Sequence, residues 1–152
     1  MSISTLKKEA FAHLSDTIEQ KIQTAKEEIE SARISIVEDT KSSAGDKYET
    51  NREMMQAEMS RNEMNLAKAL TLKDELNRIN LEAEHKQVAI GSMVVTQNGT
   101  YFLSIGIGVV QLENEKIFCI SEASPIGALL IGKKVGDSID FRGQKISIKQ
   151  IG

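Results

Sequence analysis

Over the first half of the chain, apolar residues recur at every third or fourth position. Leu14, Ile18, Ile22, Ala25, Ile29, Ala32 and Ile36 make one series. Met55, Met59, Asn62, Leu66, Ala69, Leu72, Leu76, Ile79 and Ala83 make a second. A step near 3.6 puts each series on one face of a helix. The remaining faces are charged or polar, as at Lys21, Lys26, Glu27, Glu28 and Glu30. The pattern predicts helices over about 2–42 and 47–86, with Ser4 or Thr5 available to cap the first. Between them lies Ser42-Ser43-Ala44-Gly45-Asp46-Lys47-Tyr48-Glu49, which holds the only glycine before Gly91. Two antiparallel helices with their tip near 42–49 are the simplest geometry. Arms of this length reach roughly 60 Å at 1.5 Å per residue. Because each helix has a single seam to bury, a partner domain is expected to anchor the base.

The period changes in the second half. Ser92-Met93-Val94-Val95-Thr96 and Thr100-Tyr101-Phe102-Leu103-Ser104-Ile105 flank Gln97-Asn98-Gly99, and Asn-Gly between β-rich runs signals a hairpin. Further strands are expected over 108–112, 116–121, 138–141 and 145–151, with Gly143 in the last turn. Short strands with tight turns predict an antiparallel sheet. One stretch differs. Ser124 suits a helix cap, Pro125 the first helical position and Gly132 a stop, so 124–132 is expected to form a short apolar helix on the sheet.

Composition sharpens this division. Nine of the ten glycines and the only proline lie after residue 88. Residues 1–87 hold 13 Lys/Arg against 17 Asp/Glu, and residues 88–152 hold 6 against 5. Two domains of different class follow, 1–87 helical and 88–152 a small sheet. There is no long uncharged apolar run, which excludes a membrane-spanning helix. The N-terminus lacks the apolar core of a signal peptide, so a cytoplasmic location is expected. The net charge of -3 is not that of a protein gripping duplex DNA over a wide surface. Cys119 lies in an apolar run and reads as a buried strand thiol. His13 and His85 lack the companions of a zinc site. Met54, Met55, Met59 and Met64 are bunched after the turn; Met55 and Met59 fit the seam, while Met54 and Met64 are harder to place there.

Asp46 and Glu49 are the candidate chemistry. Asp with Glu three residues on is the pattern of a helix cap, satisfying free N–H groups and the helix dipole. Two carboxylates side by side also suit Mg²⁺, which takes oxygen ligands and keeps several waters. The two readings are compatible, since a capping carboxylate retains acceptor lone pairs.

The stretch Ile120-Ser121-Glu122-Ala123-Ser124-Pro125-Ile126-Gly127-Ala128-Leu129-Leu130-Ile131-Gly132-Lys133-Lys134-Val135-Gly136-Asp137 resembles the C-terminal signature of the Gre family, bacterial transcript cleavage factors that act on RNA polymerase. Ile90-Gly91-Ser92-Met93-Val94 is similar to the start of the same domain. Gly45-Asp46, two further residues and Glu49 resemble the family's tip motif. The resemblance implies an α+β protein: an N-terminal antiparallel two-helix coiled coil followed by an FKBP-like domain that docks on the polymerase. By it, Ser124, Pro125, Ile126, Gly132 and Lys133 are docking residues. Asp46 and Glu49 are the catalytic and metal-binding pair, sharing Mg²⁺ with the polymerase only in the complex. The partners implied are bacterial RNA polymerase and nascent RNA near the tip, with no membrane and a monomeric chain. The chain alone would hold no cofactor and would not be an enzyme; it would stimulate the polymerase's own cleavage of backtracked RNA. After Glu49 this chain has Thr50-Asn51-Arg52-Glu53, shifted by one residue from the family's pattern. That shift motivates a second expectation, a non-cleaving channel binder that regulates transcription. A prolyl isomerase is a third, but Tyr101, Phe102, Phe118 and Phe141 are few for both a core and a pocket.

Overall fold

The computed structural model describes residues 2–42 and 46–152, with side chains described outside 39–49. The chain is α+β, with two long helices followed by a six-stranded sheet and a short helix. It divides into two compact units, Met1–Ser15 with Asp74–Gly152, and Asp16–Lys73. Among the described residues, no helix is long and apolar enough to cross a membrane.

Helix α1 spans Ile3–Ser42 and α2 spans Asp46–Asn77. Neither contains proline or glycine, so nothing interrupts the backbone ladder. The cap of α1 is Ser2, not Ser4 or Thr5: its hydroxyl accepts a hydrogen bond from the Thr5 amide at 3.2 Å. In the unit Asp16–Lys73 the apolar series are only partly buried: Ile29, Ile36, Met55, Met59, Leu66 and Leu72 are half-buried. Ile18, Ile22, Ala25, Ala32 and Ala69 are buried, and Asn62 is buried among them. Lys73 Nζ meets Glu19 Oε1 at 2.7 Å, linking the two helices. Met54 and Met64 lie off this seam, 65 % and 58 % exposed.

Helix α2 ends about nine residues earlier than the apolar pattern suggests. The Arg78 and Ile79 amides bond the carbonyls three residues back, tightening the last turn. Asn80 Oδ1 then accepts from the Glu82 amide at 3.0 Å, a local turn that competes with helix. Ile79 keeps its place in the apolar pattern and is buried although it is no longer helical.

The strands are β1 (Met93–Thr96), β2 (Gly99–Leu103), β3 (Gly108–Gln111), β4 (Lys116–Ile120), β5 (Ser138–Phe141) and β6 (Gln144–Ile151). Helix α3 spans Pro125–Leu130. The sheet order is β3-β4-β2-β1-β6-β5. It is mixed, which corrects the antiparallel expectation. Strand β3 pairs with β4 through a tight antiparallel connection, and β4 inserts between β3 and β2. That insertion makes β4 parallel to β2, from Thr100 opposite Ile117 to Leu103 opposite Ile120.

The β1–β2 hairpin forms where expected, but its two loop residues are Gln97 and Asn98, because Thr96 pairs with Gly99. Gly99 is needed for a different reason than turn geometry alone. A Cβ there would stand 3.0 Å from the Phe118 ring. Thr96 completes the turn, its hydroxyl donating to the Gly99 carbonyl at 2.8 Å and accepting from the Asn98 amide.

Both faces of the central strands are buried. On one face Val94, Tyr101, Leu103, Ile139, Ile146 and Ile148 form a core with Val88 and Leu130. On the other, Met93, Phe102 and Cys119 are equally buried. Phe102 stands opposite both Met93 and Cys119, so the alternation of period two places all three together. Burial pushes the Cys119 thiol up to about 12, only partly opposed by a hydrogen bond with Ser104. The thiol is therefore unreactive at neutral pH, in keeping with its apolar setting.

Candidate functional site

Helix α3 is positioned by its own cap. Ser124 is extended, and its hydroxyl accepts from the Gly127 amide at 3.1 Å while donating to the Ser121 carbonyl at 2.7 Å. Pro125 follows at the helix start, where its missing N–H costs nothing. Gly127 is buried, and a Cβ there would fall 2.1 Å from the Ser121 carbonyl oxygen. Only glycine fits between the helix and the end of β4. Leu130 is fully buried and Ile126 packs on the same core, which fixes the rotation of the helix.

Fixing that face leaves an apolar one outside. Leu129 and Ile131 are 39 % and 37 % exposed, and Pro125 and Ala128 are exposed with them. The chain turns at Gly132, whose amide donates to the Val88 carbonyl, while the Val88 amide donates to the Lys133 carbonyl, both at 2.8 Å. The Lys134 amide then donates to Asp137 Oδ2 at 2.9 Å. Lys133, Lys134 and Val135 are thus exposed side chains on a hydrogen-bonded loop. The result is a set of exposed apolar side chains followed by two exposed cations.

Of the five residues that the Gre resemblance singles out here, Ser124, Ile126 and Gly132 cap, pack and turn the backbone. Pro125 and Lys133 are exposed. Leu129, Ile131 and Val135 were missed as surface candidates. For Leu129 and Ile131 the signal is the run from Ala128 to Ile131, which holds more apolar side chains than one buried face of so short a helix can use; Val135 lies beyond that run.

Asp46 is the first residue of α2, and Ser42 the last of α1. Residues 43–45, with Gly45, lie outside the described residues, and so do the carboxylates of Asp46 and Glu49 and the side chains of Lys41, Lys47 and Tyr48. Arg52 is described and exposed. Among the described residues, no group of three or more His, Cys, Asp or Glu is placed to hold a metal. His13 is exposed on α1, while His85 is part-buried.

A concavity of about 770 Å³ lies beside β5 and β6, lined by Gln97, Asn98, Tyr101, Phe141, Arg142, Gln144, Lys145 and Ile146. Tyr101 stacks on Phe118 with ring centroids 5.4 Å apart, and Arg142 covers Phe141. The aromatic rings are engaged with neighbours and the lining is largely polar, unlike an aromatic-walled prolyl pocket.

The chain matches no protein-family model, and a search of curated proteins returns no match.

Proposed function

We propose that the chain is a Gre-like factor that docks on bacterial RNA polymerase and stimulates its intrinsic cleavage of backtracked RNA. The observation that carries this reading is the run 120–137. Its resemblance to the Gre signature is dense, and it forms a capped helix with an exposed apolar and basic edge. In this reading α1 and α2 form an antiparallel coiled coil that enters the polymerase's secondary channel, and the sheet with α3 is an FKBP-like docking domain. The Glu19–Lys73 contact and the buried seam residues support the first; the packing of α3 on the sheet supports the second. The protein acts in the cytoplasm as a monomer.

Asp46 and Glu49 would hold Mg²⁺ together with the polymerase. An oxygen-only pair of carboxylates three residues apart fits a hard cation that retains water. Bound there, Mg²⁺ would supply charge neutralisation and an activated water at the phosphodiester. The chain's own residues bring the two carboxylates and the docking face; it has no nuclease activity alone.

The test is a stalled, backtracked elongation complex supplied with Mg²⁺. Addition of the wild-type chain is expected to shorten the nascent RNA, and Leu129→Glu with Lys133→Glu is expected to abolish binding and cleavage together. A second reading, a non-cleaving channel binder, is favoured by the shifted residues Thr50-Asn51-Arg52-Glu53. It predicts binding and competition with a cleavage factor without RNA shortening. No binding to the polymerase contradicts both.

A further inference from the structure

Burial along the two long helices stops at one place on each. Within the unit Asp16–Lys73 the buried positions of α1 are Ile18, Ile22, Ala25 and Ala32, and those of α2 are Asn62 and Ala69. Helix α1 continues for about three turns beyond Ala32, and α2 runs for about four turns before Asn62. Over 33–38 and 50–61, where every side chain is described, none is buried. Ile36, Met55 and Met59 are half-buried, and Ile34, Val37 and Met54 are exposed.

A helix draws little stability from its own backbone in water. Fewer than about 12–15 residues are marginal even with good helix formers, and burial of an apolar face supplies the rest. Before Ala32 and after Asn62 that burial is present, and the Lys73 ammonium also holds Glu19 at 2.7 Å across the two helices. Between them it falls to half-covered side chains. Asn62 sharpens the change, because an amide stands where the 3.6-residue series otherwise places apolar groups. It buries less apolar area than a leucine would and carries polar atoms that must leave water.

We infer that the helical unit opens in two steps: 33–38 and 50–61 open together as one local segment while 18–32 and 66–73 stay packed, with Asn62 at the boundary. The free energy of such local openings runs from near zero up to the global stability, following the buried apolar contacts of each segment. The first segment to open can therefore adjust its two helices to a surface it meets without disturbing the packed part. The inference concerns the free chain and stands apart from any polymerase interaction.

The experiment is hydrogen exchange of the full ¹⁵N-labelled chain followed by NMR, each rate being corrected for the intrinsic rate of its sequence. Amides of 33–38 and 50–61 are expected to exchange at least about tenfold faster than those of 18–32 and 66–73. That readout needs no variant. Met59→Ala is expected to speed exchange at 33–38 as well as at 50–61, because one opening exposes both, and to leave 18–32 within about twofold. Asn62→Leu, which continues the apolar series, is expected to slow exchange at 33–38 and 50–61 at least about threefold. A smaller difference between the two parts of the wild-type chain overturns the proposal. So does a Met59→Ala chain in which 18–32 speeds up equally or 33–38 does not respond, or an Asn62→Leu chain that exchanges as fast as wild type at 50–61.

Discussion

The two compact units bury their apolar residues in different ways. In the unit that carries the sheet, the central strands are covered on both faces, and Met93, Val94, Phe102, Leu103 and Ile117 have no exposed surface. In Asp16–Lys73 the buried residues that the structure describes are Ile18, Ile22, Ala25, Ala32, Asn62 and Ala69, three of them alanines and one an amide. Ile34, Val37, Met54, Met64 and Leu70 remain exposed there. A layered sheet can surround a side chain, whereas one seam per helix covers only one side of it. The first unit is built for stability. The second leaves apolar surface free.

The largest test of this contrast is Phe102→Ala. Removing a fully buried ring from between two covered strands is expected to cost about 3–5 kcal/mol by chemical denaturation. Ile22→Ala on the helical seam should cost less, about 2 kcal/mol, because a one-sided seam relaxes into the space. Equal losses at the two positions would break the contrast. Gly127→Ala comes next, at about 1–3 kcal/mol, because its methyl group would collide with the Ser121 carbonyl. Circular dichroism and near-ultraviolet melting would follow it.

A pH titration sharpens the picture further. Burial first, and then the Lys7 charge, lower the pKa of His85 below the ordinary value of about 6.5. The folded form therefore favours the neutral ring. Its stability is complete above about pH 6.5 and falls as pH drops from there through the lowered folded value. His85→Gln should flatten that part of the stability profile in urea melts. The smallest effect is expected at Met54→Ala on the exposed face of α2, within about 0.5 kcal/mol.

Much of the fold was legible because the periodic signals were long. The 3.6-residue series marked both helices, and β-rich runs bounded by turn residues marked all six strands near their observed bounds. Three features were not legible, each for a local or topological reason. The early end of α2 depends on Asn80 bonding its own backbone neighbour, which leaves the apolar series of Leu76 and Ile79 unchanged. The parallel β2–β4 pair depends on strand order, which a local run of β-forming residues does not encode. The role of Gly99 depends on Phe118, a residue distant in sequence. At the candidate site, Ser124 and Pro125 announced the α3 start directly. The outward Leu129 and Ile131 could be separated from Leu130 only once the core contacts of Leu130 were known.

The central claim is that Asp46 and Glu49 act on RNA held by a docked polymerase. The most direct measurement is RNA cleavage in a backtracked elongation complex with Mg²⁺, alongside binding of the same variants to the polymerase. Asp46→Ala and Glu49→Ala are each expected to lower the cleavage rate at least about a hundredfold while binding stays within about twofold. Cleavage undiminished in both variants, or a wild-type chain that binds without shortening the RNA, would contradict the claim.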